Sequence, residues 1–295
     1  MPHTAKILNR GYPGTNVRMR NVDVYVTGSN SKLLSRDVMT EFRGRGDEGR
    51  VRPLSFSEFM QGFDGDRYQG WAEYTVYGGM PFTLSMPTDE QKARYLEQLF
   101  EETYLKDVVD RYEVRKRDEL DDLVNVLASG IGTLTNPSKL KNTFRSVLNS
   151  KISSNTTSSY IGYLEEAFII EEARRYDVKG GGYIGSPMKY YFEDVGLRNA
   201  RLGFRQVEEG RDVRKQLEVD FVANRGSDRI YVQSALEIRT PEKAAQEKTS
   251  LLGINDSFKK VVLVHDVVKP LRDERGVVTM SVFDFLLDEN SLAGI

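Results

Sequence analysis

The sequence has no cysteine and only two histidines, His3 and His265. The first absence excludes disulfides, thiolate zinc sites and cysteine nucleophiles together. The second argues against a histidine-built metal site and against a Ser-His-Asp triad. Charge of one sign is also lacking: 42 Lys and Arg against 44 Asp and Glu leave a formal net charge of −2. The molecule as a whole therefore does not attract nucleic acid, and any such contact needs a local basic patch. No apolar run approaches the length of a membrane span, and Met1-Pro2-His3-Thr4 opens no apolar signal segment, so no membrane partner and a cytoplasmic location are expected. What remains, 39% hydrophobic and 29% charged residues over 295 positions, is an ordinary globular mixture. It gives room for roughly two or three compact domains.

Regular structure is expected from Val22-Asp23-Val24-Tyr25-Val26-Thr27, a β-branched run closed by Gly28-Ser29-Asn30. Helical spacing follows through Leu33, Leu34, Val38 and Phe42. A short strand, Arg50-Val51-Arg52-Pro53, leads into Ser55-Phe56-Ser57-Glu58, a capping box. One long helix is expected over 90–115, with Tyr95, Leu96, Leu99, Tyr104, Val108 and Tyr112 on its apolar side. Three shorter ones cover 118–128, 137–148 and 156–168. The second of these starts on an Asn136 cap with Pro137 at its first position. After Gly180-Gly181-Gly182 the period becomes strand-like, with strands at 189–192, 217–223, 230–235, 260–264 and 277–281 and a helix at 242–252. A boundary is placed near Gly180, and no internal repeat is present.

Several of these segments together resemble a known order of motifs. They are Tyr25-Val26-Thr27-Gly28-Ser29-Asn30-Ser31-Lys32-Leu33-Leu34, Arg43-Gly44-Arg45, Pro53-Leu54-Ser55-Phe56-Ser57-Glu58-Phe59, Tyr77-Gly78-Gly79-Met80-Pro81, Leu105-Lys106-Asp107-Val108-Val109, Tyr191-Phe192-Glu193-Asp194-Val195-Gly196-Leu197-Arg198-Asn199 and Glu218-Val219-Asp220-Phe221-Val222. The order resembles prokaryotic AAA-type ATP-binding proteins that carry a carboxy-terminal domain of uncharacterised function. The resemblance implies ATP and Mg²⁺ as the family's cofactors. It makes Ser29 and Asn30 a sensor near the γ-phosphate, and Arg43 and Arg45 the arginines that steady a transferring phosphoryl group. The plainer reading of the same residues is a strand-to-helix turn with solvated arginines. The family's phosphate loop, a glycine-rich turn ending in Gly-Lys-Ser/Thr, is not found. Gly11-Tyr12-Pro13-Gly14-Thr15 is the nearest candidate and lacks the lysine. The expectation is a front-truncated member with no cofactor of its own and no autonomous ATP hydrolysis.

The carboxy-terminal part resembles a restriction-endonuclease-like core. In such a core, carboxylates from a helix and two strands hold Mg²⁺ against a scissile phosphate. The resemblance maps Asp220, Glu218 and Gln233 onto that site, with Asp220 a weak metal ligand and Ala235 where the usual lysine stands. The glutamate-bearing helix expected between Asn199 and Glu218 has no periodic apolar face here, which reads as an internal deletion. A solvated edge strand is the alternative for Glu218 and Asp220.

The three middle helices have the order of a winged helix, and Lys139, Lys141, Arg145 and Lys151 form a local basic patch. The third helix offers Ser158, Ser159 and Tyr160 but no arginine, which favours phosphate contact over base reading. The alternative is a connector that packs against the ATPase lid. The expected fold is thus α/β: residues 1–62 a remnant of the AAA-type core, 63–117 a helical lid, 118–180 a winged-helix-like bundle, and 181–295 an endonuclease-like mixed sheet. The expected function is a non-catalytic ATPase-family protein that binds DNA, an intact relative or an oligomer partner. A Mg²⁺-dependent nuclease and an ATPase completed in trans are the alternatives.

Overall fold

The structure, a computed structural model, describes residues 49–147, 152–173, 188–203, 219–225, 228–238, 240–266 and 268–292. The expected strand at 22–27, the helix after it, the Gly180 turn, and the site residues Ser29, Asn30, Arg43, Arg45, Lys151 and Glu218 lie outside the described residues. The described residues gather into two compact units. Residues 49–53, 76–173 and 188–203 make one, and 54–75 with 219–292 make the other.

Two helices come first, α1 (Phe56–Gly62) and α2 (Arg67–Tyr77). The capping box forms as expected: Ser55 Oγ accepts the Glu58 N–H at 3.3 Å, and the Glu58 carboxylate accepts the Ser55 N–H at 2.8 Å. Phe56 and Phe59 are buried, edge-on against Trp71 and Tyr74 of α2. The residues just before, Arg50-Val51-Arg52-Pro53, are not the expected strand. Pro53 has no N–H to give a ladder. The two arginines flanking Val51 are instead held by side chains, Arg50 by Glu193 at 2.5 Å and Arg52 by Glu171 at 3.1 Å.

In the first unit a 3₁₀ turn (Pro81–Ser85) leads to α3 (Asp89–Gln98), capped by Thr88. The single helix expected over 90–115 is in fact interrupted. After α3 comes a π-helical stretch, Leu99–Leu105, and then α4 (Lys106–Arg111). The Lys106 N–H bonds to the Glu101 carbonyl five residues back, and the wider turn buries both Phe100 and Leu105. Next are α5 (Arg117–Ser129), α6 (Pro137–Val147) and α7 (Ser154–Glu166). The apolar positions read from the sequence close the core: Leu120, Leu123, Val124 and Leu127 from α5 meet Leu140 and Phe144 of α6 and Ile161 and Leu164 of α7. Each such buried side chain contributes about 1.5–3 kcal/mol. Strands β1 (Ile170–Ala173) and β2 (Lys189–Phe192) pair antiparallel, Ile170 opposite Phe192, and α8 (Val195–Arg201) follows. An isolated bridge, Thr135 to Met188, ties the α5–α6 connection to the start of β2.

The second unit holds β3 (Phe221–Arg225), β4 (Asp228–Ala235), α9 (Pro241–Leu252), β5 (Lys259–Val264), β6 (Leu271–Arg272), β7 (Val277–Ser281) and α10 (Val282–Leu287). The sheet is mixed, in the order β3-β4-β5-β7-β6. β3 is antiparallel to β4, β5 is parallel to both β4 and β7, and β6 is antiparallel to β7. Of the strand expected over 217–223, residues 217 and 218 lie outside the described residues, and β3 covers Phe221–Arg225. Strand β5 is buried on both faces, which is why Val261-Val262-Leu263-Val264 reads as an unbroken apolar run. The α/β class is as expected, and no helix among the described residues is long and apolar enough to cross a membrane.

Candidate functional site

Two glycine-containing segments far apart in sequence are locked together in the first unit. Asp194 caps α8, its Oδ1 accepting the Leu197 N–H at 2.9 Å, while Oδ2 accepts the Gly79 N–H at 2.7 Å. Asn199 donates from Nδ2 to the Val76 carbonyl, and Arg198 donates from Nε to the Ala128 carbonyl, both at 2.9 Å. Gly78 adopts φ 73°, a left-handed conformation that suits glycine. Burial raises the Asp194 carboxyl above the ordinary aspartate range, opposed by N–H donors from Gly79, Leu197 and Gly196. In the sequence these residues stand only as parts of the motif segments, with no partner indicated. The signal was there, in Gly78-Gly79 and in Asp194-x-Gly196.

Beside this clamp stands the module α5, Thr135–Met188 bridge, α6, α7 and the β1–β2 pair. On α6 the three described basic residues do not form one patch. At about 100° per residue, Lys141 and Arg145 share a face, being four apart, whereas Lys139 lies about 200° from Lys141. The buried Leu140 and Phe144 sit between them. Lys139 turns its ammonium to the Leu134 carbonyl at 2.8 Å. The outward residues of α7 are Asn155, Ser158 and Ser159, all exposed and uncharged.

In the second unit, Asp220 stands immediately before β3 and reaches β4. Its Oδ2 accepts both the N–H and the hydroxyl of Ser234, each at 2.8 Å. Gln233 turns to the other face of the sheet, its Oε1 accepting from Ser250 Oγ of α9 at 3.2 Å. The structure therefore brings Asp220 and Gln233 to neighbouring positions on the sheet and points their polar groups at different partners. Among the described residues no group of three or more His, Asp or Glu could hold a metal ion. Asp220→Ala should cost less than about 1 kcal/mol, because it removes one exposed cap of β4. The nuclease alternative predicts a different loss. Urea unfolding together with plasmid cleavage in Mg²⁺ or Mn²⁺ separates the two, and cleavage abolished in the variant would establish an active site.

Residues 2–60 match an AAA domain, and residues 68–208 match a domain of unknown function, DUF8612. An uncharacterized protein of Haemophilus influenzae is 32% identical over 90% of this chain, covering 71% of that protein. An uncharacterized protein of Methanocaldococcus jannaschii is 24% identical over 79% of the chain, which spans 60% of that relative's length. No solved structure matches.

Proposed function

We propose that this chain, which belongs to one family with the uncharacterized Haemophilus protein and matches an AAA domain over residues 2–60, is an ATPase-like subunit that engages nucleic acid through the α5–β2 module. The observation that carries this reading is the order helix, bridge, helix, helix, antiparallel pair, with Thr135–Met188 as the third strand position. That is the order of a winged helix, in which the third helix approaches a groove and neighbouring cations hold phosphates. Lys141 and Arg145 supply cations on one face of α6, and Asn155, Ser158 and Ser159 supply short polar groups on α7. Such a surface grips the backbone more than it reads bases.

The family's nucleotide chemistry enters only at its margin. The 295 residues contain no Gly-Lys-Ser/Thr loop, and among the described residues none form a set that would hold Mg²⁺. In this reading Ser29, Asn30, Arg43 and Arg45 meet a nucleotide held by another subunit. The second unit is a degenerate endonuclease-like sheet in the same reading. Its mixed topology and the placement of Asp220 against β4 support that assignment.

The test is duplex binding by fluorescence anisotropy between 50 and 200 mM salt. With Lys141 and Arg145 both changed to Ala, affinity should fall and the slope of log K against log salt should flatten by about two, roughly 0.9 for each lost phosphate contact. An unchanged slope would sink the proposal.

A further inference from the structure

A cavity of about 120 Å³ opens between α5, α6 and β2. Leu127 and Leu140 form part of its apolar wall, and Thr133, Thr135, Thr143 and Lys139 bring polar atoms to it. Two of the three threonines have spent their hydroxyl protons. Thr133 donates to the Gly130 carbonyl at 2.6 Å, and Thr143 donates to the Lys139 carbonyl at 3.2 Å. Thr135 is different. It is only 8% exposed, and its backbone N–H and C=O are both taken by Met188, at 2.8 and 2.7 Å. Its hydroxyl has no hydrogen-bond partner among the described residues and is not one of the fully buried unpaired polar atoms, so it is open to the cavity.

Lys139 points the same way. Its ammonium has three donors, and one goes to the Leu134 carbonyl. It makes no ion pair among the described residues, and its side chain is exposed. Glu165 and Glu172 act on Tyr190, which also lines the cavity, but neither glutamate lines it. The first turn of the eleven-residue α6, to which Lys139 belongs, adds a field that favours negative charge. Size limits the occupant. A cavity of about 150 Å³ holds a benzene ring, so this one takes a group of roughly six non-hydrogen atoms or fewer.

We infer that this cavity binds a single small oxyanion, a phosphate group or a short carboxylate, received by the Lys139 ammonium and the Thr135 hydroxyl. The site is distinct from the Lys141–Arg145 face, which lies on the opposite flank of α6. A phosphate there has two sources, free phosphate or one backbone position of a nucleic acid, and the chemistry of recognition is the same.

The experiment titrates the full ¹⁵N-labelled chain with inorganic phosphate, and separately with acetate, against chloride at matched ionic strength. Saturable shifts of the Thr135, Lys139 and Thr143 amides are expected, with a dissociation constant that is roughly millimolar, given how few contacts so small a ligand makes. Thr135→Val removes the hydroxyl while keeping the shape, and Lys139→Met removes the charge at an exposed position. Each should weaken binding about tenfold. Shifts identical to those in chloride, or unaffected by both substitutions, overturn the inference. A short duplex added to the phosphate-saturated chain assigns the source: displacement of phosphate identifies a backbone contact, and simultaneous binding identifies a free oxyanion. The variant with Lys141 and Arg145 changed to Ala should still bind phosphate, so the two proposals can fail separately.

Discussion

Gly196→Ala is expected to lower the stability of the helical unit by about 3 kcal/mol or more, seen as a large fall in the urea midpoint followed by circular dichroism. A Cβ at this position would lie 2.1 Å from the Tyr77 carbonyl oxygen, 2.4 Å from its carbon and 2.9 Å from the Gly78 nitrogen. All three are backbone atoms, so no rotamer change relieves the overlap. Either α8 must move away from the chain at Tyr77 and Gly78, or that chain must move from α8. Moving either breaks the Asp194–Gly79 and Asn199–Val76 hydrogen bonds. The control is Gly162 within α7, where an added Cβ meets nothing within 4 Å. Gly162→Ala should stabilise by about 0.5–1 kcal/mol through helix propensity and reduced freedom of the unfolded chain. Equal effects at the two glycines would show that packing at Gly196 is not as described.

Helix α5 was legible because Leu120, Leu123, Val124 and Leu127 repeat at helical spacing and all are buried. The starts of α1 and α6 were legible because Ser55–Glu58 and Asn136–Pro137 satisfy helix ends within a few residues. Helix α8 was legible only in part: Asp194 caps it locally, but its buried positions include Gly196 and Arg198, and the bond from Gly79 to Asp194 spans 115 residues. The π-helical stretch shows in the sequence only as a break in phase: Tyr95 and Leu99 share a face, but at about 100° per residue Val108 lies roughly 180° from Leu99, a break that the single expected helix passes over. Burial of both Phe100 and Leu105 emerges only once α8 is in place and Arg201 pairs with Glu101. The candidate site fared similarly. Lys139, Lys141 and Arg145 counted as one patch by composition, yet helical phase separates the first from the other two. Asp220 fitted a metal ligand by its neighbours in sequence, while its hydrogen bonds go to Ser234 on the next strand.

Asp194→Ala should cost about 2–3 kcal/mol, and Asp194→Asn less. The alanine loses the cap on α8, worth about 1 kcal/mol. It also leaves the Gly79 N–H without an acceptor in a position where Asp194 itself is 4% exposed, and a buried unmet donor costs about 1–3 kcal/mol. Asparagine keeps one carbonyl oxygen for one of the two N–H groups and sets an amide donor against the other. The dependence on pH has a definite sign. Burial holds the folded-state carboxyl pKa above its unfolded value. The contribution of that carboxyl to stability is therefore fully present below the unfolded pKa and is lost as pH rises through the folded pKa. Asparagine does not titrate. The stability difference between wild type and Asp194→Asn should accordingly be largest in acid and shrink as pH rises through that window, with most of the change complete once the folded carboxyl has ionised. Denaturation of both proteins across a pH series measures it. A difference that widens with pH would mean that the three N–H donors outweigh burial and that the clamp works as a buried, well-solvated carboxylate instead.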